Sequence, residues 1–489
     1  MTGRRVVMLV DNSIDGDSRV QKSARTAADA GWDVTLIGRA PGVKQDTSRL
    51  GNATLLRVPV PFTLDSRART APRRGVRHAF AYASKDIAAI RSAEVEWALL
   101  DLHTRRAAGE TGLRLAGVWW SARRFVTRVR RRQLDRAGKF ATRTGKRLPR
   151  ARHGEARQWR WDHPRLADYE LAFGPAIERL KPDLIHAHDF RMIGIAVRAA
   201  DRLALTGRRP RVVYDAHEFL PGVGLGDPLV ARGVESWERT YIQRVDAVIT
   251  VCEPIADLLM KEHGLPERPT VVMNVPIVGP DGIHLPASDV RSDSGVAADV
   301  PLLVYVGVSA AKRGLDVMVD ALAQLPDVHL TLVTRPNDFV TTLKSRAAEL
   351  GAGKRLHVLP YVAPDDVAGY VRTATVGVHG MIDLPNHHLS MPTKLFEYAH
   401  GRIPVVTSDV ATSAGLIRES GNGEVYPPGD VAGFVAATKL VLADPERYRA
   451  AYDRPGLLAS WTWGTQAGAV DTMYRRLLGD GSDDASLAP

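Results

Sequence analysis

A chain of 489 residues is longer than one ordinary hydrophobic core and predicts two domains. Its 45% apolar and 25% charged residues exclude a disordered or fibrous chain, and its one cysteine, Cys252, excludes an intrachain disulfide framework and suits a reducing compartment. The net charge of +11 is uneven: residues 66–165 hold 26 Lys/Arg against 8 Asp/Glu, so this segment carries +18 and the rest of the chain −7.

Taken in chain order, residues 6–10 form a β-branched strand and 11–17 carry turn chemistry. Val20, Ala24, Ala27 and Ala28 recur at helical spacing, Gly31 ends that helix, and 34–37 begin another strand. This is a βαβ unit, the usual start of a doubly wound sheet. The Arg-rich stretch 66–165 follows. A helix is then expected over 166–180, with Gly174-Pro175 as a place to kink or split it. Strands at 184–186, 211–214, 247–251 and 271–273 alternate with helices at 192–203, 237–245 and 254–263. Residues 277–300, rich in Gly, Pro, Asp and Ser, read as a linker. A second series has strands at 302–306, 329–334, 356–359, 376–379 and 404–408. Its helices fall at 315–325, 341–350, 393–400, 431–442 and 466–478. No run of about 18 apolar residues could span a membrane, and the first ten residues lack a signal-peptide cleavage pattern.

The most informative stretch is Asn386-His387-His388-Leu389-Ser390-Met391-Pro392-Thr393-Lys394-Leu395-Phe396-Glu397-Tyr398, followed by Gly401, Pro404 and Asp409. Pro392 suits the first turn of a helix, where a missing N–H costs nothing. The free amides of that turn make an anion site, to which Lys394 adds a full charge. Glu397, three residues on, shares its face. A cation on phosphate and a carboxylate on two ribose hydroxyls suit a nucleoside diphosphate; a surface salt bridge between Lys394 and Glu397 is the competing reading.

This block resembles the donor-binding motif of glycosyltransferase family four, in the subgroup with an Asn-His-x-x-Ser-x-Pro-x-Lys-x-Phe-Glu-Tyr pattern. Asp17-Ser18-Arg19-Val20 with Gly31-Trp32-Asp33-Val34 resembles the family's first βαβ unit. His186-Ala187-His188-Asp189 and Tyr214-Asp215-Ala216-His217-Glu218 resemble two N-domain loops, and 250–258 with Asn274-Val275-Pro276 resemble the interdomain approach. The resemblance covers about 1–60 and 166–475. It implies the α/β GT-B fold: two Rossmann-like domains facing across a cleft, here with an Arg-rich helical insert. The implied division is an acceptor domain 1–276 interrupted by 66–165, a linker 277–300, a donor domain 301–460, a helix 461–478 packing back toward the first domain, and a disordered tail 479–489. It further implies retaining transfer from a UDP- or GDP-sugar to an acceptor hydroxyl, such as a cell-envelope or surface glycan precursor, without cofactor or metal. Arg313 matches the basic residue that joins Lys394 on the diphosphate, and Glu397 the ribose carboxylate. Gly307, Ser390, Met391 and Pro392 complete the donor set. Many members carry a glutamate where Leu389 stands, and this departure leaves the donor sugar open.

In the first domain, Asp15-Gly16-Asp17 spells an Asp-x-Asp metal motif, but its place before a helix favours Asp17 or Ser18 as a cap, with contact of Asp17 with acceptor or donor in the cleft as the second reading. Arg19 would project from the first turn toward an acidic acceptor or phosphate. His186, His188 and Asp189 end a strand, and His217 and Glu218 follow the next; both groups are expected to bond sugar hydroxyls or the acceptor, with His188 and His217 as candidates to polarise its hydroxyl, while satisfied structural residues are the competing reading and a zinc site the remote one. His379 is expected to line the sugar pocket. The insert, with Trp119, Trp120 and Phe125 among Arg123, Arg124, Arg128 and 130–132, suits an anionic membrane surface or acidic glycan through 115–150. A solvated basic helix is the plain alternative, and no nucleic-acid motif is present. The expected location is cytoplasmic, with peripheral contact to the inner membrane face. A nucleotide-sugar epimerase of the same fold and a non-catalytic GT-B scaffold stand as alternative functions.

Overall fold

The computed structural model describes residues 3–65, 82, 85–137, 159, 163–279 and 281–479. Most of the flanks of the insert (66–81, 83–84, 138–158, 160–162) and the expected tail from 480 onward lie outside the described residues. The chain divides into two compact units. One is Met1–Ile249 with Leu259–Pro269 and Asp471–Pro489; the other is Thr250–Leu258 with Thr270–Val470.

The first sheet comprises β1 (Arg5–Leu9), β2 (Asp33–Arg39), β3 (Asp46–Leu50), β4 (Ala53–Val58), β5 (Leu184–His188), β6 (Arg211–Ala216), β7 (Ala247–Thr250) and β8 (Thr270–Val271), in the order β3-β4-β2-β1-β5-β6-β7-β8. Strand β1 pairs parallel with β2 on one side and β5 on the other, with Val6 opposite both Val34 and Leu184. The chain leaves β1 toward β2 and later resumes at β5, so the carboxyl ends of β1 and β5 flank the topological switch point, where ligands of such sheets bind. Strands β3 and β4 form an antiparallel hairpin that the sequence reading missed. Its two-residue turn is Gly51-Asn52, with Gly51 at φ 56°, where glycine carries no Cβ penalty.

Four helices matter most to this unit besides α1 (Ser18–Asp29): α2 (Lys85–Ala107) and α3 (Arg114–Ala137) in the insert, then α4 (Arg165–Leu180) and α5 (Phe190–Ala204). Pro175 lies inside α4 without ending it; the helix runs on to Lys181, whose left-handed backbone (φ 48°) closes the last turn. Helix α5 is buried almost all round and carries two arginines into the interior. Arg198 donates through Nε to Glu170 (2.8 Å) and through Nη2 to Asp101 (3.1 Å). Arg202 donates to Glu170, Glu178 and the Thr104 hydroxyl, each at 2.7 Å. Trp97 Nε1 reaches Glu170 at 3.1 Å. Burial opposes ionisation of Glu170, but the two guanidinium charges outweigh it and hold the carboxyl below its usual range. Asp101, Thr104 and Trp97 all belong to α2, so the basic insert is pinned to the domain core by a buried charge network.

The second sheet is wholly parallel: β9 (Leu302–Val306), β10 (His329–Val333), β11 (Leu356–Leu359), β12 (Val376–His379), β13 (Val405–Ser408) and β14 (Gly423–Tyr426), in the order β11-β10-β9-β12-β13-β14. Along β9, Leu302, Val304 and Val306 join one buried cluster and Leu303 and Tyr305 the other. Both faces are covered, which is why the strand reads as a continuous apolar run.

Several boundaries differ from the sequence reading. Residues 277–300, read as linker, carry the helix Val290–Ser294 with an Asp289 capping box, and Val290 and Val296 are buried among the second unit's apolar side chains. The turn-forming residues there cap a short helix instead of spacing domains. The helix expected from 237 begins at Pro228, because Asp227 accepts from the Leu229 amide and proline fits the first position. The helix Ala411–Ser420 and strand β14 were not foreseen. The last helix is Trp463–Leu478. From Asp471 it clusters with the first unit: Trp32 Nε1 donates to Asp471 at 2.7 Å, and Tyr474 is buried against Trp32.

Replacing Glu170 by alanine would strand two buried guanidinium groups. Loss of one partner of such a buried ion pair costs about 3–5 kcal/mol. Chemical denaturation of Glu170→Ala should show a loss of that order; a loss below about 1 kcal/mol, the size of an exposed pair, would contradict this account.

Candidate active site

In the second unit, the glycine-containing turns after the strands assemble the expected donor residues. Gly307 follows β9 at φ 126°, and a Cβ there would come within 3.3 Å of Lys394 Nζ. The Lys394 ammonium lies 3.8 Å from the centre of the Tyr305 ring, a cation–π contact. The Tyr305 hydroxyl donates to the Val308 carbonyl at 2.8 Å, holding the ring in place. Arg313 ends a 3-10 turn, and Gly314 follows at φ 62°, lying against Gly380 after β12. Arg313 is close enough for its charge to act on Lys394: burial, then Arg313, bring the Lys394 pKa down to about 7, with Glu397 opposing. His379 at the end of β12 feels both cations; burial first, then Lys394 and Arg313, hold it well below its usual range. His379 is fully buried, and among the described residues neither of its ring nitrogens has a hydrogen-bond partner.

Helix α6 (Thr393–His400) carries Lys394 and Glu397. Pro392 stands one position earlier than expected, at the N-cap, where it gives no side-chain cap to the first-turn amides. An uncapped, lysine-bearing helix start is suited to an anion. Tyr398 fixes this helix to the sheet: its hydroxyl lies 3.2 Å from Val306 N, Val304 O and Val378 O. Gly377 leaves room for the ring, since a Cβ there would come within 2.4 Å of it. Glu397 is 8% exposed, and its charge reaches Tyr361, a 42% exposed ring on the loop after β11.

The segment 386–392, which leaves the short helical turn Pro385–His388 for the start of α6, is held by helix α7 (Ala411–Ser420), whose residues sequence reasoning missed. The Ala411 amide donates to His388 Nδ1 (3.1 Å), Thr412 Oγ1 to the His388 carbonyl (2.5 Å) and Ser413 Oγ to the Ser390 carbonyl (3.1 Å). Cys252 Sγ contacts the Leu389 carbonyl at 3.3 Å. Ser390, Met391 and Pro392 are half-buried along this path. Three consecutive residues after a strand left no periodic signal in the sequence.

In the first unit, the residues expected at the acceptor divide. Arg19 is 4% exposed and forms a two-pronged bond with Asp215, Nε to Oδ2 at 2.9 Å and Nη2 to Oδ1 at 2.8 Å. It therefore does not project toward an acceptor. His186 and His188 are also buried, because β5 lies between β1 and β6 and every one of its residues is covered. His188 Nδ1 lies 3.1 Å from Asp215 Oδ2, and His186 Nδ1 2.5 Å from the Tyr474 hydroxyl. Asp17 accepts from the Val20 amide (3.3 Å) and the Asn12 side chain (2.8 Å), which is the capping role. His217, half-buried and 3.3 Å from Asp215, is the member of this group nearest solvent, and Glu218 is exposed. Burial lowers the His217 pKa, but the Asp215 charge outweighs it and raises the group overall. Asp189 caps α5 through the Phe190 amide at a strained backbone (φ 69°), and burial pushes its pKa up to about 6.

His186, His188 and Asp215 have ligand atoms within 4.8 Å of one another. Both oxygens of Asp215 already face the Arg19 guanidinium, however, and that charge repels a cation. The set is an ion-pair network in its chemistry.

The family model "Glycosyl transferases group 1" matches residues 288–454, and "Glycosyltransferase Family 4" matches 124–275. The D-inositol 3-phosphate glycosyltransferase of Mycolicibacterium gilvum is 26% identical over 323 residues, covering 62% of this chain and 68% of that one. The glycogen synthase of Mycobacterium tuberculosis is 26% identical over 311 residues, covering 60% and 69%. Among solved structures, the sucrose-phosphate synthase of Thermosynechococcus elongatus aligns with a TM-score of 0.63 at 15% identity, over 98% of this chain and 100% of that one. The chain is a glycosyltransferase with the GT-B fold. The two matched models support a family-four type. A further structural relative of this glycosyltransferase is Anabaena HepE in complex with UDP and glucose, with a TM-score of 0.56 at 14% identity over 97% of this chain and 100% of that one.

Within the glycosyltransferase, a lysine titrating at about 7 is a measurable signature. Reductive methylation with carbon-13 should give one lysine resonance with a midpoint near that value, absent from Lys394→Arg. Lysine resonances that all titrate near the ordinary value of about 10.4 would contradict the placement of Lys394.

Proposed function

We propose that this glycosyltransferase moves a sugar from a UDP- or GDP-sugar to an acceptor hydroxyl with retention of anomeric configuration, needing no metal or other cofactor. The observation that carries the reading is the Lys394 ammonium, held between the Tyr305 ring and Gly307 within the field of Arg313. Two neighbouring cations at an uncapped helix start are matched by the charge of a diphosphate. As the glycosidic bond to the donor breaks, negative charge builds on the leaving diphosphate, and preformed cations stabilise that state more than the ground state. Glu397 would accept from the ribose hydroxyls. Gly307, Ser390, Met391 and Pro392 would line the phosphate path, and His379 the sugar side. A nucleotide-sugar donor is further supported by structural relatives solved with UDP and glucose and with UDP-2-fluoro glucose.

On the acceptor side, His217 is the titratable group that this reading places nearest the incoming hydroxyl, with Asp189 and Glu218 beside it and His188 behind it on Asp215. In a front-face transfer the acceptor hydroxyl attacks from the side on which the diphosphate leaves, so no protein nucleophile is needed, and the departing phosphate can take the acceptor proton in place of a protein base. The proposed acceptor is a cell-envelope or surface glycan precursor. The chain would meet it at the inner membrane face through α3. There Leu115, Val118, Trp119, Phe125 and Val126 are exposed at helical spacing among Arg123, Arg128, Arg131 and Arg132, while Arg123 stacks on Trp119 at 4.9 Å. No helix among the described residues is long and apolar enough to cross a membrane.

Thermal-shift measurements should show stabilisation by UDP or GDP and their sugars, lost in Lys394→Ala. With the true donor, Lys394→Ala and Arg313→Ala should each lower kcat by roughly 10²–10³-fold, the range for removing one charge-stabilising donor. Proton NMR of the product should show the donor's anomeric configuration. An unchanged nucleotide shift in Lys394→Ala would remove the diphosphate assignment, and donor consumption without acceptor would favour an epimerase. For the membrane contact, flotation with phosphatidylglycerol vesicles should be lost in Trp119→Glu/Phe125→Glu; equal flotation would exclude that face.

A further inference from the structure

We propose that the acceptor carries a phosphate monoester and that Arg39, Arg165 and Arg191 hold it. This inference rests on the glycosyl-transfer reading above and names the acceptor class for it.

The three arginines come from separate parts of the first unit and meet at the carboxyl ends of its strands. Arg39 ends β2, Arg191 lies in the first turn of α5 after β5, and Arg165 opens α4. Phe62, on the loop after β4, stands with both Arg39 (5.6 Å) and Arg165 (4.7 Å) at its ring. Its edge meets Tyr169 at 5.5 Å and 82°. The Tyr169 hydroxyl donates to the Asp11 carbonyl at 2.7 Å, and Arg191 Nη1 donates to Asp11 Oδ2 at 2.8 Å. Burial pushes the Tyr169 phenol up to about 12, Asp11 adds to this, and Arg39, Arg191 and Arg165 all oppose it, so the three cations share one neighbourhood.

The loop that presents Phe62 is built to stay in place. Asp168 accepts from the Leu64 and Asp65 amides, each at 2.9 Å, and Asp65 pairs with Arg165 at 2.9 Å. Phe62 itself has φ 49°, a left-handed backbone that a bulky residue adopts only when its surroundings dictate it. Strain of this kind, spent on placing an aromatic ring against two guanidinium groups, points to a function for the cluster.

The three guanidinium groups are not paired alike. Arg191 is matched by Asp11 and Arg165 by Asp65. Arg39 forms no ion pair among the described residues, and its Nε is buried without a hydrogen-bond partner, as is the Nε of Arg191. A buried donor left unsatisfied is costly, and oxygen atoms from a ligand would relieve it. A phosphate monoester brings close to two negative charges and three oxygens, which suits planar guanidinium forks arriving from several directions. A carboxylate offers one charge and two oxygens in one plane. The cluster flanks the switch point beside Asp11, the edge of the sheet at which a ligand is expected. Arg19, the arginine that the sequence suggested for this task, is held by Asp215.

The test uses the full chain carrying Lys394→Ala, which removes the proposed donor phosphate site. Inorganic phosphate, glucose 6-phosphate, glucose and glucuronate are titrated calorimetrically at constant ionic strength. Phosphate and glucose 6-phosphate should bind, glucose should not, and glucuronate should bind at least tenfold more weakly than glucose 6-phosphate. Adding Arg39→Gln should weaken phosphate at least tenfold, and Arg39→Lys should recover part of the loss. Arg39→Gln alone should keep the UDP thermal shift of the wild-type chain, which also shows that it folds; failure of the donor reading would instead remove the UDP shift from the wild type. Vesicles containing phosphatidic acid distinguish the source: capture that depends on Arg39 assigns the phosphate to a lipid headgroup, and binding of glucose 6-phosphate without capture assigns it to a soluble sugar phosphate. Phosphate titrations that are the same with and without Arg39→Gln, or glucuronate binding as tightly as glucose 6-phosphate, would overturn the proposal.

Discussion

Two like charges held close together without a counter-ion of equal strength are the constraint on which the second unit is organised. Burial first, and then the repulsion between Arg313 and Lys394, bring the lysine down to about 7, and Glu397 offsets only part of this. A folded chain keeps such an arrangement only if the rest of the structure holds both groups in place. The Gly314 turn lies against Gly380, Tyr398 fixes α6 between β9 and β12, and the Tyr305 ring supports the ammonium. On the proposed reading, an arriving diphosphate relieves the repulsion. Part of the binding free energy is then stored in the unliganded protein as unfavourable electrostatics, and the affinity should fall as pH rises through the lysine's titration.

The first unit uses charge differently. Around Asp215, the ion pair with Arg19 and the contacts to His188 and His217 are nearly all buried, so this network holds the ends of β5 and β6 in register and leaves only His217 near solvent. Around Glu170, a second buried network attaches the insert. In both, each arginine has a carboxylate partner. In the cluster at Phe62, Arg39 departs from that rule: it has no ion pair among the described residues and its Nε is buried without a hydrogen-bond partner, and on the proposal above a phosphate would answer it.

Much of this was legible in the sequence because it depends on local chemistry. The alternation of strands and helices gave two α/β series, and the segment around Lys394 and Glu397 announced itself through helix-start chemistry and its resemblance to a known motif. What the sequence could not supply was burial and long-range pairing. His186 and His188 read as open cleft residues because they end a strand, and Arg19 because it opens a helix, yet the central position of β5 and the partner Asp215, 196 residues from Arg19, enclose them. The clamp of Ala411, Thr412 and Ser413 on the segment 386–392 has no periodic trace, since a backbone amide and two hydroxyls form it. The Phe62 cluster was invisible for a similar reason: its members are spread from Asp11 to Arg191 and only the sheet order brings them together. The segment 277–300 misled in the opposite direction, because the residues that make loops also make helix caps.

The most direct measurement is a crystal structure of the chain with bound UDP. The account predicts the β-phosphate within hydrogen-bonding distance of Lys394 Nζ and the Arg313 guanidinium, at the first turn of α6, with the ribose hydroxyls on Glu397. Phosphates bound away from both cations, or a nucleotide seated on the Phe62 cluster of the first unit, would contradict it.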